Sequence, residues 1–225
     1  MRKIYVAVAV VAFLFFAGSG WAIEIRIDRW GGYYSGDGGE FTIRDFGPAT
    51  ENLYADVAFT HDGFQTFCVE RDEYVNIPGV YNAVINANNQ ALGGGVNTDS
   101  GDTISRGTAF LYYQFSLGTL AGYNYTAGPD RVASAGALQQ TIWWLEEEIT
   151  VMPVNSFTSL VLDQFGAEAD ARADTYMGYG VGVLNLTNGG LAQDQLVRTP
   201  VPEPGTMLLL GLGLIGLAGI RRKIN

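Results

Sequence analysis

One cysteine and one histidine are the only thiol and imidazole in this 225-residue chain. Cys68 lies in "DGFQTFCVERDEYV", residues 62–75, and His61 stands seven residues before it. The chain opens with Arg2 and Lys3, an apolar run from Ile4 to about Ala17, and small residues ending at Ala22, the layout of a secretory signal peptide over residues 1–22. Export delivers a chain to an oxidising compartment, where cysteines normally pair. A lone thiol there is mispaired, oxidised or already used. The alternative is a buried free cysteine acting as a small apolar residue.

Other reactive patterns are sparse. One His and one Cys do not make a zinc site in the usual ligand sets. "NTDSGD", residues 97–102, offers oxygen ligands but lacks the full EF-hand spacing and its closing glutamate, so it reads as a loop. Glu146–Glu148 reads as a solvated helix face, because paired acids for glycoside hydrolysis need a separation that a run does not define. His61 is a candidate for proton transfer at the thiol, against the plainer reading of a turn residue beside Asp62. "NYT" and "NLT" match a glycosylation pattern with little force. There is no nucleophile elbow, P-loop or dinucleotide fingerprint. No metal, no cofactor and no turnover are expected.

Composition places the middle of the chain among folded domains. The whole chain is 12% aromatic and 16% charged, with 30 glycines, most of them in that middle. Without the two end segments, which hold five basic residues and Glu203, eight basic residues face 22 acidic ones, a net charge of −14. That field repels nucleic acid and anionic lipid. The only lysines are Lys3 and Lys223, so the domain between has no amine side chain. A domain carrying an activated acyl group has reason to lack them; a proteome that prefers arginine would also do so.

The elements that position Cys68 fall in two blocks. "IEIRI", "EFTIRDF", "FQTFCVERDEYV" and "GVYNAVINAN" read as strands by alternation. After the glycine-rich "ALGGGVNTDSGD" the apolar period becomes helical. "TISRGTAFLYYQFSLGTL" is one helix, capped by Asp102 or Thr103. "DRVASAGALQQTIWWLEEEI" is a second, entered through Pro129 and Asp130, with a stripe of Leu138, Ile142, Leu145 and Ile149. "NSFTSLVLDQFGAEADARA" is a third, capped by Asn155 or Ser156. "GVGVLNLTN" and "DQLVRT" return to strand. The expectation is one α+β domain over residues 23–198, a sheet or sandwich with a helical insertion between the Cys-bearing strand and the helix carrying Gln139.

Phe67-Cys68-Val69 followed by a helical "LQQTIW" resembles the thioester domains of bacterial surface adhesins. In that family a cysteine in an aromatic-Cys-aliphatic motif bonds to a glutamine side chain of a Thr-Gln-x-x-Ile-Trp-like helix, with loss of ammonia. The resemblance implies Cys68 and Gln139 as the bonded pair, Gln139 being four residues before Trp143, with Gln140 as competitor. "TAFLYYQF" resembles the family's intervening helix. Leu138 and Thr141 depart from the threonine and alanine common there. The resemblance makes Phe67 and Trp143 the shield around the bond, since a large ring beside a thioester excludes water. It implies a covalent target, either an amine of a surface protein or a polysaccharide hydroxyl. The non-covalent rival is a structural protein of an extracellular polysaccharide matrix with the same fold.

The C-terminal segment, residues 199–225, resembles a second family. Val201-Pro202-Glu203-Pro204, an apolar and glycine run from Met207 to Ile220, and Arg221, Arg222 and Lys223 look like the PEP-CTERM sorting signal. At about 1.5 Å per residue the run makes a short spanning helix with its basic tail on the cytoplasmic side. The resemblance implies Pro202, Glu203 and Pro204 as the sorting motif and exosortase as processing partner. It also implies transient anchoring in the inner membrane and a final place at the cell surface or in the matrix of a Gram-negative bacterium.

Overall fold

The structure is a computed structural model that describes residues 22–36, 38–44, 63–93, 101–175 and 178–198. It combines strands and helices, as an α+β chain should. Six strands form one antiparallel sheet: β1 (Ile23–Asp28), β2 (Phe41–Arg44), β3 (Gly63–Thr66), β4 (Gly79–Ile85), β7 (Val181–Thr187) and β8 (Leu191–Arg198). Their order is β3-β2-β1-β4-β7-β8. Two further short strands, β5 (Gln90–Ala91) and β6 (Asp102–Thr103), pair separately. The alternation read in "IEIRI" is realised in β1, where Ile25 and Ile27 are buried and Glu24 and Arg26 are exposed.

The sheet curls until its edges meet. Beyond β3 the chain runs against β8: Leu196 N donates to Phe67 O at 3.0 Å and Val69 N to Asp194 O at 3.0 Å, with Cys68 opposite Gln195. The Thr66 hydroxyl adds a bond to Leu196 O at 2.6 Å. Joining the edges satisfies backbone groups that an open edge would leave to solvent. Ile25, Ile27, Phe41, Ile43, Phe64, Tyr81, Leu184 and Leu186 pack within the curl. Val181, Val183 and Leu196 present the other face to the helices.

Between β6 and β7 come α1 (Arg106–Ser116), α2 (Pro129–Leu145), α3 (Ser156–Phe165) and α4 (Glu168–Arg172). Between Cys68 and α2 the chain forms strands β4 to β6 as well as α1. Pro129 begins α2, where its missing N–H costs nothing, and Asp130 lies in the first turn. Leu138, Ile142 and Leu145 form the buried stripe toward α1 and α3. Ile149, expected to continue it, lies past the end of α2 but still packs on the core. Asn155 caps α3 by accepting from Phe157 N and Thr158 N, at 2.9 and 3.0 Å. The N-terminal end of α2 is tied to the sheet by a buried ion pair of Arg131 with Glu40, whose carboxylate also accepts from the Tyr123 hydroxyl at 2.6 Å.

Three local expectations are corrected. The cap of α1 is Ser105, accepting from Thr108 N at 3.1 Å, and not Asp102 or Thr103, which belong to β6. The third helix breaks at Gly166, whose φ of 82° ends α3 before α4 begins. Glu146 is not on a solvated face: it follows the last residue of α2 and is only 4% exposed. Its carboxylate accepts from the Ser105 hydroxyl at 2.8 Å and stitches α2 to the cap of α1. Exposed Glu147 and half-buried Glu148 fit the original reading better.

Burial raises the Glu146 carboxyl to about 7, against opposing hydrogen bonds from Thr108 and Ser105. Between about pH 4.5 and 7 the folded chain therefore keeps a proton that the unfolded chain has released, and stability falls as pH rises. Urea unfolding midpoints at pH 4.5 and pH 8 should differ in that sense, Glu146 contributing up to about 3 kcal/mol. Glu146→Gln should remove that share of the slope, and an unaltered slope would contradict the assignment.

Candidate functional site

Cys68 stands where the two edges of the sheet join, fully buried and with no disulfide partner. Successive side chains of an extended segment point to opposite faces. Phe67 and Val69 accordingly pack with the helices, and Cys68 packs within the curl. Helix α2 crosses this seam. Gln139 and Trp143, one turn apart, share the face turned toward Cys68, while Trp144 belongs to the helical core.

The Gln139 carboxamide grips Cys68 at both backbone polar atoms. Its Nε2 donates to Cys68 O at 2.9 Å, and its Oε1 accepts from Cys68 N at 3.2 Å. Both atoms flank the Cα that bears the thiol, so the carboxamide is fixed beside that residue in a site closed to solvent. Gln140 is half-buried, makes no such contact and lines a neighbouring cleft.

Two glycines close the site from the other side. A Cβ on Gly38, whose φ is +112°, would lie 2.7 Å from Gln139 Cγ and 2.8 Å from Trp143 Cζ2. One on Gly39 would lie 2.2 Å from Phe67 Cδ1 and 3.0 Å from Gln139 Oε1. The loop before β2 thus approaches the carboxamide more closely than any side chain permits. Phe67 reaches this spot with Cδ1 and Cε1, and its ring meets Phe115 in a T-shaped contact with centroids 4.9 Å apart. Trp143 covers the thiol side.

Burial pushes the Cys68 thiol well above its usual pKa, and the nearby Glu70 carboxyl pushes it further. The Trp143 indole and the Gly39 N–H favour the ionised form and only partly oppose this. Glu70 shares the face of Cys68 two residues on, and its own pKa is raised by burial and by Asp194. Asp194 N donates to Glu70 Oε2 at 2.9 Å, and Leu92 N and Leu186 N donate to the Asp194 carboxylate. Three buried polar atoms here have no hydrogen-bond partner of ordinary geometry: Trp143 Nε1, Glu70 Oε1 and Gln195 Oε1. Each belongs to a residue beside, or opposite, Cys68. Unpaired buried polar groups cost about 1–3 kcal/mol each.

The cleft next to the site has a volume of about 490 Å³, with Tyr34, Arg71, Tyr74, Gln140, Trp143 and Gln193 in its walls. It meets the Cys68 site at Trp143 and Gly38.

Sequence reading singled out Cys68, Gln139, Phe67 and Trp143, and the fold gathers all four. It missed Gly38, Gly39, Glu70 and Gln195. The alternation around "FCVER" carried a signal for Glu70, and the cluster "GDGGE" one for the glycines. Gln195 pairs with Cys68 across more than a hundred residues, which no local pattern reveals. His61, Pro202, Glu203, Pro204, the apolar run 207–220 and residues 97–100 lie outside the described residues. Among the described residues no helix is long and apolar enough to cross a membrane, and no three His, Cys, Asp or Glu are placed to hold a metal.

Beyond this domain the C-terminal segment decides one matter. Residues 200–223 match the PEP-CTERM protein-sorting motif. The chain carries an exosortase sorting signal. Such a signal belongs to exported proteins, makes exosortase the processing partner and is anchored in the membrane at the C-terminus. No curated protein and no solved structure matches the chain.

The two glutamines separate experimentally. Gln139→Ala leaves the Cys68 N–H and C=O unpaired in a closed site and should lower stability by about 2–4 kcal/mol. Gln140→Ala, on a cleft wall, should stay within about 1 kcal/mol of wild type. Urea unfolding monitored by tryptophan fluorescence reads both, and equal losses would remove the distinction drawn here.

Proposed function

We propose that the exported domain forms an internal thioester between Cys68 and Gln139 and uses it once, for covalent attachment to a partner outside the cell. The observation that carries this reading is the double hydrogen bond that holds the Gln139 carboxamide on Cys68. An amide is a poor electrophile, and fixed placement beside the nucleophile is what a chain can supply to overcome that.

The steps balance. Cys68 Sγ attacks Gln139 Cδ, the C–N bond breaks, and the amide nitrogen leaves as ammonia with the thiol proton. A partner hydroxyl or amine then attacks the same carbon, the C–S bond breaks, and the proton of the nucleophile ends on Cys68. The product is an ester or amide on Gln139 with the thiol restored. Nothing regenerates the amide of Gln139, so this is binding with reactive chemistry and not turnover. Trp143, Phe67 and the Gly38–Gly39 loop keep water from the bond before a partner arrives. Export fits this role, and the cell surface or an extracellular matrix is the proposed place of action.

One observation favours the non-covalent matrix protein instead. The raised thiol pKa keeps Cys68 protonated at neutral pH, and a thiol is a weaker nucleophile than its thiolate. On that reading the orphaned polar atoms are held by buried water.

Intact mass separates the two. The chain recovered from the exporting cell should weigh one ammonia less than its processed sequence, with the termini assigned by peptide mass, gain one methylamine on treatment, and show neither change as Cys68→Ala. A full sequence mass with a titratable thiol after unfolding would leave the matrix-protein reading standing.

A further inference from the structure

We propose that the cleft beside Trp143 recognises a glycan chain, and that the nucleophile it delivers to Gln139 is a sugar hydroxyl. This deepens the thioester reading and rests on it.

The cleft is the approach to the carboxamide. Trp143 and Gly38 line it on one side and press against the Gln139 side chain on the other, so a ligand seated there is one ring away from Gln139. Its walls combine flat rings with planar polar groups. Tyr34, Phe41, Tyr74 and Trp143 supply the rings, and Gln140, Gln193 and Arg71 the amides and guanidinium. Aromatic faces cover the C–H faces of sugar rings, and amides and guanidinium bond to the hydroxyls at the edges. Tyr74 stands 80% exposed at the rim, a large ring held where a ligand can reach it. Tyr34 is fixed by a bond from its hydroxyl to Gly36 O at 3.0 Å and by contact with Phe41 at 5.5 Å.

The net field of the domain is acidic and would attract an ammonium, so it is the charge inside the cleft alone that argues against a lysine acceptor. Acids outnumber basic residues 23 to 13 in the chain, yet none of the described residues lining the cleft is a carboxylate. Its one charged side chain is Arg71. The other seven arginines among the described residues each meet a carboxylate or an aromatic ring. Among the described residues the Arg71 guanidinium shows no such partner, while its backbone N–H donates to the Glu148 carboxylate at 2.9 Å. A lysine acceptor arrives as an ammonium, which this cation repels. A sugar hydroxyl arrives neutral, and a uronate carboxylate beside it suits the guanidinium.

In the step itself the sugar oxygen attacks Gln139 Cδ, the C–S bond breaks, and the hydroxyl proton passes to Cys68. The bond left behind is an ester, which hydroxylamine cleaves, whereas lysine would leave an amide that resists it.

The test uses the processed chain as recovered from the exporting cell. It is offered methylamine, Nα-acetyl-lysine, maltoheptaose and a uronic-acid oligosaccharide in parallel, and adducts on Gln139 are read by peptide mass. We expect a hydroxylamine-sensitive adduct with at least one saccharide, formed faster than the acetyl-lysine adduct. Reaction with both saccharides assigns the recognition to the rings, and reaction with the uronate alone to Arg71. Tyr74→Ala should lower the ratio of saccharide to methylamine adduct about tenfold, the loss of one stacked ring. Faster labelling by acetyl-lysine than by either saccharide, or an unchanged ratio in Tyr74→Ala, overturns the glycan assignment alone. Failure of methylamine to add to the wild type overturns the thioester reading, and this proposal falls with it.

Discussion

Everything at the candidate site depends on three residues of edge pairing. The backbone of Phe67, Cys68 and Val69 runs against Asp194, Gln195 and Leu196, and this joins the first edge of the sheet to its last. Were the edges apart, Cys68 would sit on a solvated rim, with its neighbours free to twist. Joined, the segment has a fixed register, and register decides which side chains face inward. It sends Phe67 and Val69 to the helices, turns the Cys68 side chain into the curl beside Trp143, and leaves the Cys68 backbone N–H and C=O to Gln139. Helix α2 can then dock both of its faces at once, Leu138 and Ile142 on the helical core, Gln139 and Trp143 on the seam.

The same seam concentrates buried acidity. Glu70 and Asp194 lie together under backbone donors, and burial and their mutual repulsion raise the Glu70 pKa, so the buried pair resists carrying two negative charges. Glu146 repeats the arrangement where α2 meets the cap of α1. A strongly acidic chain thus uses some of its carboxyl groups neutral, as hydrogen-bonding posts between elements. The Glu40–Arg131 pair is the contrasting case, a charge matched inside the fold that anchors α2 against the strand carrying the glycine loop.

Much of this was legible in the sequence because it is local. The alternation in "IEIRI", the Asn155 cap and the Pro129 entry, and the four-residue spacing of Gln139 and Trp143 all lie within one turn or one strand. What escaped is non-local or conditional. "EEE" reads as solvated because nothing nearby shows that Ser105, forty-one residues earlier, would claim Glu146. The extended reading of "FQTFCVERDEYV" overshoots, because β3 stops at Thr66 and only its continuation changes partner from β2 to β8. The glycines of "GDGGE" looked like punctuation, and their role appears only once α2 is packed against them. A residue pattern can announce that a thiol and an amide belong together, but not the backbone that makes room for the contact.

That packing creates the central tension of the site. Closing it protects a reactive bond from water, yet the same burial raises the thiol pKa and disfavours the thiolate that must form or depart. The groups that oppose the effect are N–H donors, the Trp143 indole and the Gly39 backbone, and the indole is left without another partner. A donor kept unpaired in a dry site is costly at rest and is repaid only when charge appears in front of it. On the proposed chemistry, charge appears there twice, when the bond forms and when a partner opens it. Trp143 then serves two ends of one problem: its ring excludes the water that would waste the bond, and its N–H faces the sulfur that must leave. The absence of lysine between Lys3 and Lys223 fits the same economy, since a domain holding such a bond gains from having no amine of its own to spend it on.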